Sequence, residues 1–178
     1  MTRTLALDTL CRLMSSDLPQ TINPLRLARA DALLKGQLNI GEMQRLSALV
    51  TDRQGQVDFE LNFSQDADGQ CYVKGHCATT ISMSCQRCFQ PISVDIATPT
   101  RLIVVLSIEA ARDVPEEYEP LLFTGDEIDL INMVEEEILL ALPISPRHDT
   151  AECHAAEEIA ELRNEKPGPF SVLKDLKY

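Results

Sequence analysis

Two cysteines three positions apart, Cys85 and Cys88, sit in the stretch SMSCQRCFQPISV, between two runs that alternate apolar and polar residues. Thiols at that spacing on a tight turn can aim both sulfurs at one point, as tetrahedral zinc requires, or can form a redox pair. A redox pair of the thioredoxin kind needs a strand-to-helix junction, where the helix N-terminus lowers the first thiol's pKa. Here Phe89, Gln90 and Pro91 lead straight back into alternation, which favours the metal reading over the redox one.

Two ligands do not complete a site. Other suitable atoms cluster in PRHDTAECHA, where His148, Cys153 and His154 follow Pro143. Cys85, Cys88, His148 and Cys153 would make a three-cysteine, one-histidine tetrahedron, with His154 able to replace His148. The 59 residues between Cys88 and His148 are unlike the spacing of a compact zinc finger. Such a site also requires the chain after an acidic helix to return to the cysteine turn. Unligated thiols and surface histidines are the competing reading. Four protein donors leave no open position for water or substrate, so the metal here would be one structural zinc ion.

Other catalytic patterns are missing: there is no glycine-rich phosphate loop, no two-histidine helix motif and no serine in a nucleophile elbow. The rival class is a zinc- or thiol-dependent enzyme, either a nuclease or a redox protein. Arg87, held between the two cysteines, would project from the turn toward an anion such as an RNA phosphate, or else pair with a nearby acid.

The elements that must position these groups follow from periodicity. VDFELNFSQ alternates without a break, with Val57, Phe59, Leu61 and Phe63 on one face, which predicts a half-buried strand. After the turn DADG, the run from Cys71 to Cys85 alternates again and turns Cys71 and Cys77 toward the core, where free cysteine behaves as a small hydrophobe. Cys11 carries no functional reading. Ile92, Val94, Ile96, Leu102 and Val104 keep one phase in a third strand, in which Pro99 predicts a bulge or an edge. Three strands joined by short turns make an antiparallel meander, with the cysteine pair in its second turn.

Before the meander, Asn23 and Pro24 predict a short helix, Leu33 to Leu38 an extended piece, and Gly41 to Leu49 a second helix. After it, ARDVPEEYEP reads as a polar loop leading to a short strand around Leu121 to Phe123. The segment GDEIDLINMVEEEILLALP then has a cap at Asp126 or Asp129, an apolar stripe through Leu130, Val134, Ile138 and Leu142, and a stop at Pro143. Its Glu135, Glu136 and Glu137 read as a solvated face, with a partner-binding patch as the alternative. A further helix is expected at AAEEIAELRNE, and a short amphipathic turn in KPGPFSVLKDLKY. The fold class is α+β: an antiparallel meander packed by N-terminal helices and by an acidic helix in the C-terminal half.

The 178 residues fit one domain, 18–178, preceded by a flexible N-terminal extension, 1–17. With 44% apolar residues, 4% aromatic and no Trp, the core is built from Leu, Ile and Val. No apolar run approaches the roughly 18–20 residues of a membrane span, and the N-terminus lacks the flanks of a secretory signal, which implies a cytoplasmic protein without membrane contact. The net charge of −12 is lopsided: residues 1–100 hold nine Lys/Arg against ten Asp/Glu, whereas 101–178 hold seven against eighteen. An anionic second half repels phosphates and suits basic protein partners. Direct RNA contact is left to the nearly neutral first half.

The motif CQRC, followed by EYEPLLFTGDEIDLINMVEEEILLALPISPRHDTAEC and PGPFSVLKDLK, closely resembles the YceD-like proteins, the large ribosomal RNA subunit accumulation proteins. The resemblance runs from about Leu18 to Tyr178, and LPQTINPLRLA also looks like the family's beginning. It implies a non-enzymatic cytoplasmic factor for accumulation or maturation of large-subunit ribosomal RNA and for large-subunit assembly. Many members of the wider family carry further cysteines after the acidic helix in a zinc-like pattern. This chain keeps only His148, Cys153 and His154 there. Together with the charge, the resemblance implies that the acidic half holds a basic ribosomal protein or an RNA-processing enzyme, and that ribosomal RNA is met directly or through that partner.

Overall fold

The computed structural model describes residues 18–125, 127–149, 153 and 155. The expected extension, the helix at AAEEIAELRNE, the closing amphipathic turn, Cys11, Asp126 and His154 lie outside them. The fold is α+β, with helices and 3₁₀ turns packed on a five-stranded sheet.

The chain enters through a two-residue strand, β1 (Thr21–Ile22), and a helix, α1 (Pro24–Arg29). The Asn23 side chain accepts the Arg26 N–H at 2.9 Å, and Pro24 occupies a position whose missing N–H costs nothing. Strand β2 (Leu33–Asn39) then starts the main sheet, which continues with β3 (Gln56–Gln65), β4 (Cys71–Ser84) and β5 (Pro91–Val105), each antiparallel to its predecessor. A short helix, α2 (Ile108–Ala111), leads to β6 (Glu119–Leu122), which joins the far edge parallel to β5. Strand β7 (Ile128–Asp129) pairs with β1, and α3 (Leu130–Ala141) follows at once.

The alternation read in the sequence is the burial pattern observed. Val57, Phe59, Leu61, Phe63, Val73, Cys77, Ile81 and Met83 face a core closed by Ile40, Met43, Leu46, Leu130, Val134 and Ile138. Each buried large apolar side chain contributes about 1.5–3 kcal/mol, so the two phenylalanines of β3 and the stripe of α3 hold the layers together. Gly75 lies on this inner face, and a Cβ there would overlap the carbonyl of Glu60 on β3, so the close approach of the two strands requires glycine. Pro99 lies in the part of β5 that β6 does not reach, opposite His76 of β4, in keeping with the expected edge. One feature of β5 differs from simple alternation. Ile103 and Val105 are buried as well as Leu102 and Val104, so the end of this strand is covered on both faces.

Residues 41–49 do not form the expected continuous helix. They form two 3₁₀ turns, Ile40–Glu42 and Leu46–Ala48. In an α-helix the N–H groups of Arg45 and Leu46 would bond to the carbonyls four residues back. Both instead donate to Glu135 Oε1 of α3, at 2.8 and 2.9 Å. A carboxylate 90 positions away in sequence thus captures the hydrogens that would have propagated the helix.

Helix α3 begins where Asp129 accepts the Asn132 N–H at 2.8 Å. It ends at Leu142, whose extended backbone is what a following Pro143 imposes. The solvated acidic face is corrected: Glu135 is 1% exposed and Glu137 8%, and of the three only Glu136 stands at the surface. Three consecutive helical positions span about 200° of the helix circumference, so a triplet beside a buried stripe cannot all face water. No helix among the described residues is long and apolar enough to cross a membrane.

Candidate metal centre

The β4–β5 hairpin is the longest arm of the sheet, paired continuously from Tyr72↔Ile103 to Ser84↔Pro91. Its outer end runs past the start of β3, where Thr51 braces it by donating its N–H to the Ser82 carbonyl at 2.7 Å. The cysteine turn sits at this tip. Cys85 N–H donates to the Gln90 carbonyl and Phe89 N–H to the Cys85 carbonyl, both at 2.9 Å, which folds residues 85–90 into a closed knuckle. Closing it places Phe89 at φ +60, a left-handed conformation rare for a bulky side chain, with the residue 75% exposed.

The chain after α3 returns to this tip, as a complete site requires. Gln86 N–H donates to the Pro146 carbonyl at 2.8 Å and docks the segment after Pro143 against the knuckle. The sulfurs of Cys85, Cys88 and Cys153 and one ring nitrogen of His148 then all lie within 4.8 Å of one another. Tetrahedral zinc with bonds of 2.3 Å to sulfur sets neighbouring sulfurs about 3.8 Å apart, so this spacing suits one ion with little adjustment. Cys85 and Cys153 are buried, and Cys88 and His148 are partly so.

The histidine is oriented by its other nitrogen. Nε2 lies 3.0 Å from the Pro91 carbonyl, which can only accept, so Nε2 carries the proton. Nδ1 therefore presents its lone pair, 3.4 Å from the Cys88 sulfur. A metal-binding imidazole is held in this way by a carbonyl or carboxylate behind it.

Backbone dipoles also converge on the first sulfur. Burial opposes ionisation of Cys85, but the N–H groups of Cys88, His148 and Arg87 outweigh it and lower this thiol to about 5. Cys88 differs. The Gln90 N–H favours its thiolate, yet burial and the sulfurs of Cys85 and Cys153 together push the thiol up. Closely set thiolates repel, and a cation between them removes the conflict. The donor set can therefore hold a metal ion in a closed, four-ligand arrangement.

The remaining candidates fall elsewhere. Arg87 is half-buried on the knuckle, and its guanidinium meets no carboxylate among the described residues. Glu135 serves the interior, adding a 3.1 Å bond from Arg45 Nε to the two backbone bonds. Cys71 and Cys77 are core residues, and burial drives the Cys77 thiol up to about 11. The Pro91 carbonyl and the Glu135 cap had no signal in the sequence, because both depend on partners more than 50 residues away.

The family described as large ribosomal RNA subunit accumulation protein YceD matches residues 73–177. The chain belongs to the YceD family. The match includes Cys85, Cys88, His148 and Cys153, so all four donors lie in the YceD portion of the chain. A curated relative, the large ribosomal RNA subunit accumulation protein YceD of Haemophilus influenzae, is 31% identical over 167 residues. That alignment covers 90% of this chain and 96% of the relative. No solved structure matches.

Proposed function

We propose that this protein is a non-enzymatic cytoplasmic factor that supports accumulation and maturation of large-subunit ribosomal RNA and assembly of the large subunit, with residues 18–178 as the working domain. The observation that carries this reading is the kinship with the YceD relative along 96% of that protein's length. A structural zinc ion held by Cys85, Cys88, His148 and Cys153 would pin the end of α3 to the hairpin tip. Four protein donors with no open position favour this over a zinc- or thiol-dependent nuclease or redox enzyme.

The partner surface is the anionic half. Glu109, Asp113, Glu116, Glu117, Glu119, Glu127, Asp129 and Glu136 are exposed there, against exposed Arg101, Arg112 and Arg147. Such a field attracts a basic ribosomal protein or an RNA-processing enzyme and repels long stretches of phosphate. Glu136 belongs to that surface, whereas Glu135 and Glu137 act from inside the fold. Arg87, on the knuckle and without an ion pair among the described residues, is the anion contact nearest the metal centre.

Deleting the gene and measuring the ratio of large- to small-subunit ribosomal RNA tests the reading. The ratio should fall and be restored by the intact chain; an unchanged ratio rejects the proposal. Capture from cells at moderate salt should recover a basic protein, and salt-stable RNA binding without any protein would reverse the order of partners.

A further inference from the structure

The outer face of the sheet, opposite the core, carries a charge arrangement that folding does not reward. Lys74 of β4 and Arg101 of β5 are register partners on this face, and both are exposed. Directly opposed side chains of an antiparallel pair stand about 4.5–5.5 Å apart at Cβ, and like charges there are destabilising. Neither cation forms an ion pair with a described residue. On its other flank Lys74 faces the neutral Asn62, while Lys35 on the same face is paired with Glu60 at 2.6 Å. Among the described residues, the acids nearest Lys74 on this face, Glu60 and Asp66, are engaged by Lys35 and by the Tyr72 hydroxyl, and neither is the register partner of Lys74 or Arg101.

Lys74 is nonetheless held. Its ammonium lies 5.2 Å from the ring centroids of both Tyr72 and Tyr118, which are 5.4 Å apart and tilted by 58°. Tyr72 is fixed by its hydroxyl, which donates to Asp66 at 3.0 Å. Tyr118 reaches in from the loop before β6, where its N–H donates to the Pro115 carbonyl at 2.9 Å. Two aromatic faces orient a cation without neutralising it, as a carboxylate would.

We infer that Lys74 and Arg101 form a two-cation clamp for the backbone phosphate of RNA, with Tyr72 and Tyr118 as positioning residues for the Lys74 ammonium. The guanidinium offers a planar fork to two phosphate oxygens and the ammonium a point charge to a third. An anion seated between the two side chains turns their repulsion into attraction. In a chain of net charge −12 such a spot admits a short stretch of phosphates and no more. The clamp goes beyond the function proposed above and takes from it only that RNA is the polyanion at hand. It is also separate from Arg87, because Lys74 lies ten residues before the end of β4, roughly 33 Å along the strand.

The test titrates the full chain into a fluorescein-labelled single-stranded RNA of about 20 nucleotides, followed by anisotropy between about 50 and 200 mM salt. Lys74→Gln and Arg101→Gln should each weaken binding several-fold at the lower salt and reduce the slope of log affinity against log salt by about 0.7, the double variant by about 1.4. Tyr118→Leu should weaken binding while leaving the slope in place, since it removes no charge. The double variant should melt at or above the temperature of the parent, because the opposed charges are gone. The clamp is overturned by a parent chain that does not bind the RNA, or by a double variant with unchanged affinity and slope. It is also overturned if millimolar inorganic phosphate displaces the RNA, which marks a small-anion site, or if the double variant loses only an acidic protein partner. A deletion strain with a normal large-subunit RNA ratio would sink the proposed function without altering this titration. An unchanged titration would sink the clamp and leave that ratio untouched.

Discussion

His148 donates its Nε2 hydrogen to the Pro91 carbonyl across 3.0 Å, and this bond aims the Nδ1 lone pair at the Cys88 sulfur 3.4 Å away. Pro91 opens β5 and His148 follows α3, so the relationship ties the hairpin tip to the end of the helix.

Purified protein should accordingly carry one zinc ion per chain, and Cys88→Ser or His148→Ala should release it. Binding at a thousandfold excess over Kd is worth about 4 kcal/mol, so loss of the ion should lower the melting temperature by several degrees. Because the core of β3, β4 and α3 does not include the site, amide exchange should rise first in residues 85–90 and 143–149. A chelated protein with an unchanged melting curve and exchange pattern would exclude a structural metal.

Glu135→Ala should be strongly destabilising, by about 3 kcal/mol, since it strips the acceptor from the N–H groups of Arg45 and buried Leu46. Glu135→Gln keeps an acceptor oxygen and should cost about 1 kcal/mol. Glu136→Gln, at a side chain 63% exposed, should stay within about 0.5 kcal/mol of the parent. Urea unfolding of the three variants checks the order, and equal effects would show that the buried cap carries no weight.

Burial raises the Glu137 carboxyl above its ordinary 4.5; a hydrogen bond with Thr100 counters this, and the charges of Glu119 and Glu136 add to the rise. A carboxyl with a raised folded pKa binds its proton more tightly in the native state than in the unfolded chain. Its contribution is thus complete below the unfolded pKa and is lost as pH climbs through the folded one. The stability of Glu137→Gln minus that of the parent should grow from about pH 4.5 upward and level off once Glu137 is ionised in the fold. Parallel stability curves across pH 4 to 8 would contradict the assignment.

Phe89 occupies a left-handed backbone position at φ +60 while the residue remains 75% exposed. Relief of that strain is worth about 1–2 kcal/mol, and the extra freedom of glycine in the unfolded chain returns about 0.5–1 kcal/mol. Phe89→Gly should therefore stabilise slightly, and Phe89→Val, a β-branched residue in the same conformation, should destabilise. A Phe89→Gly variant that melts well below the parent would show that the ring itself holds the knuckle.

Much of the fold was legible because its signals are local. The uninterrupted alternation of β3 and β4, the Asn23 cap with Pro24 and the Pro143 stop each depend on residues within a few positions of one another, whereas the choice of Asp129 over Asp126 as the cap of α3 came from the structure. The core placement of Cys71 and Cys77 follows from a period of two, and the edge character of Pro99 from its missing N–H. The helix expected over residues 41–49 failed for the complementary reason. Its propensity was sound, but Glu135 competes for its amide hydrogens from another element. Runs of charge mislead similarly: EEE looks solvated as a string, yet the rotation of α3 carries its first and third members inward.

By itself, the sequence determined the meander, the apolar stripe and Pro143 stop of α3 and the short list of metal donors, because backbone periodicity, helix breakers and ligand chemistry are written in neighbouring residues. Only the tertiary structure decided that Cys153 and His148 meet Cys85 and Cys88 within 4.8 Å, that Glu135 turns inward, and that Lys74 is held beside Arg101 by two tyrosines. Each of these joins residues that the chain keeps well apart. The long hairpin, the register between strands and the docking of α3 on the sheet set such distances, and no local pattern encodes them.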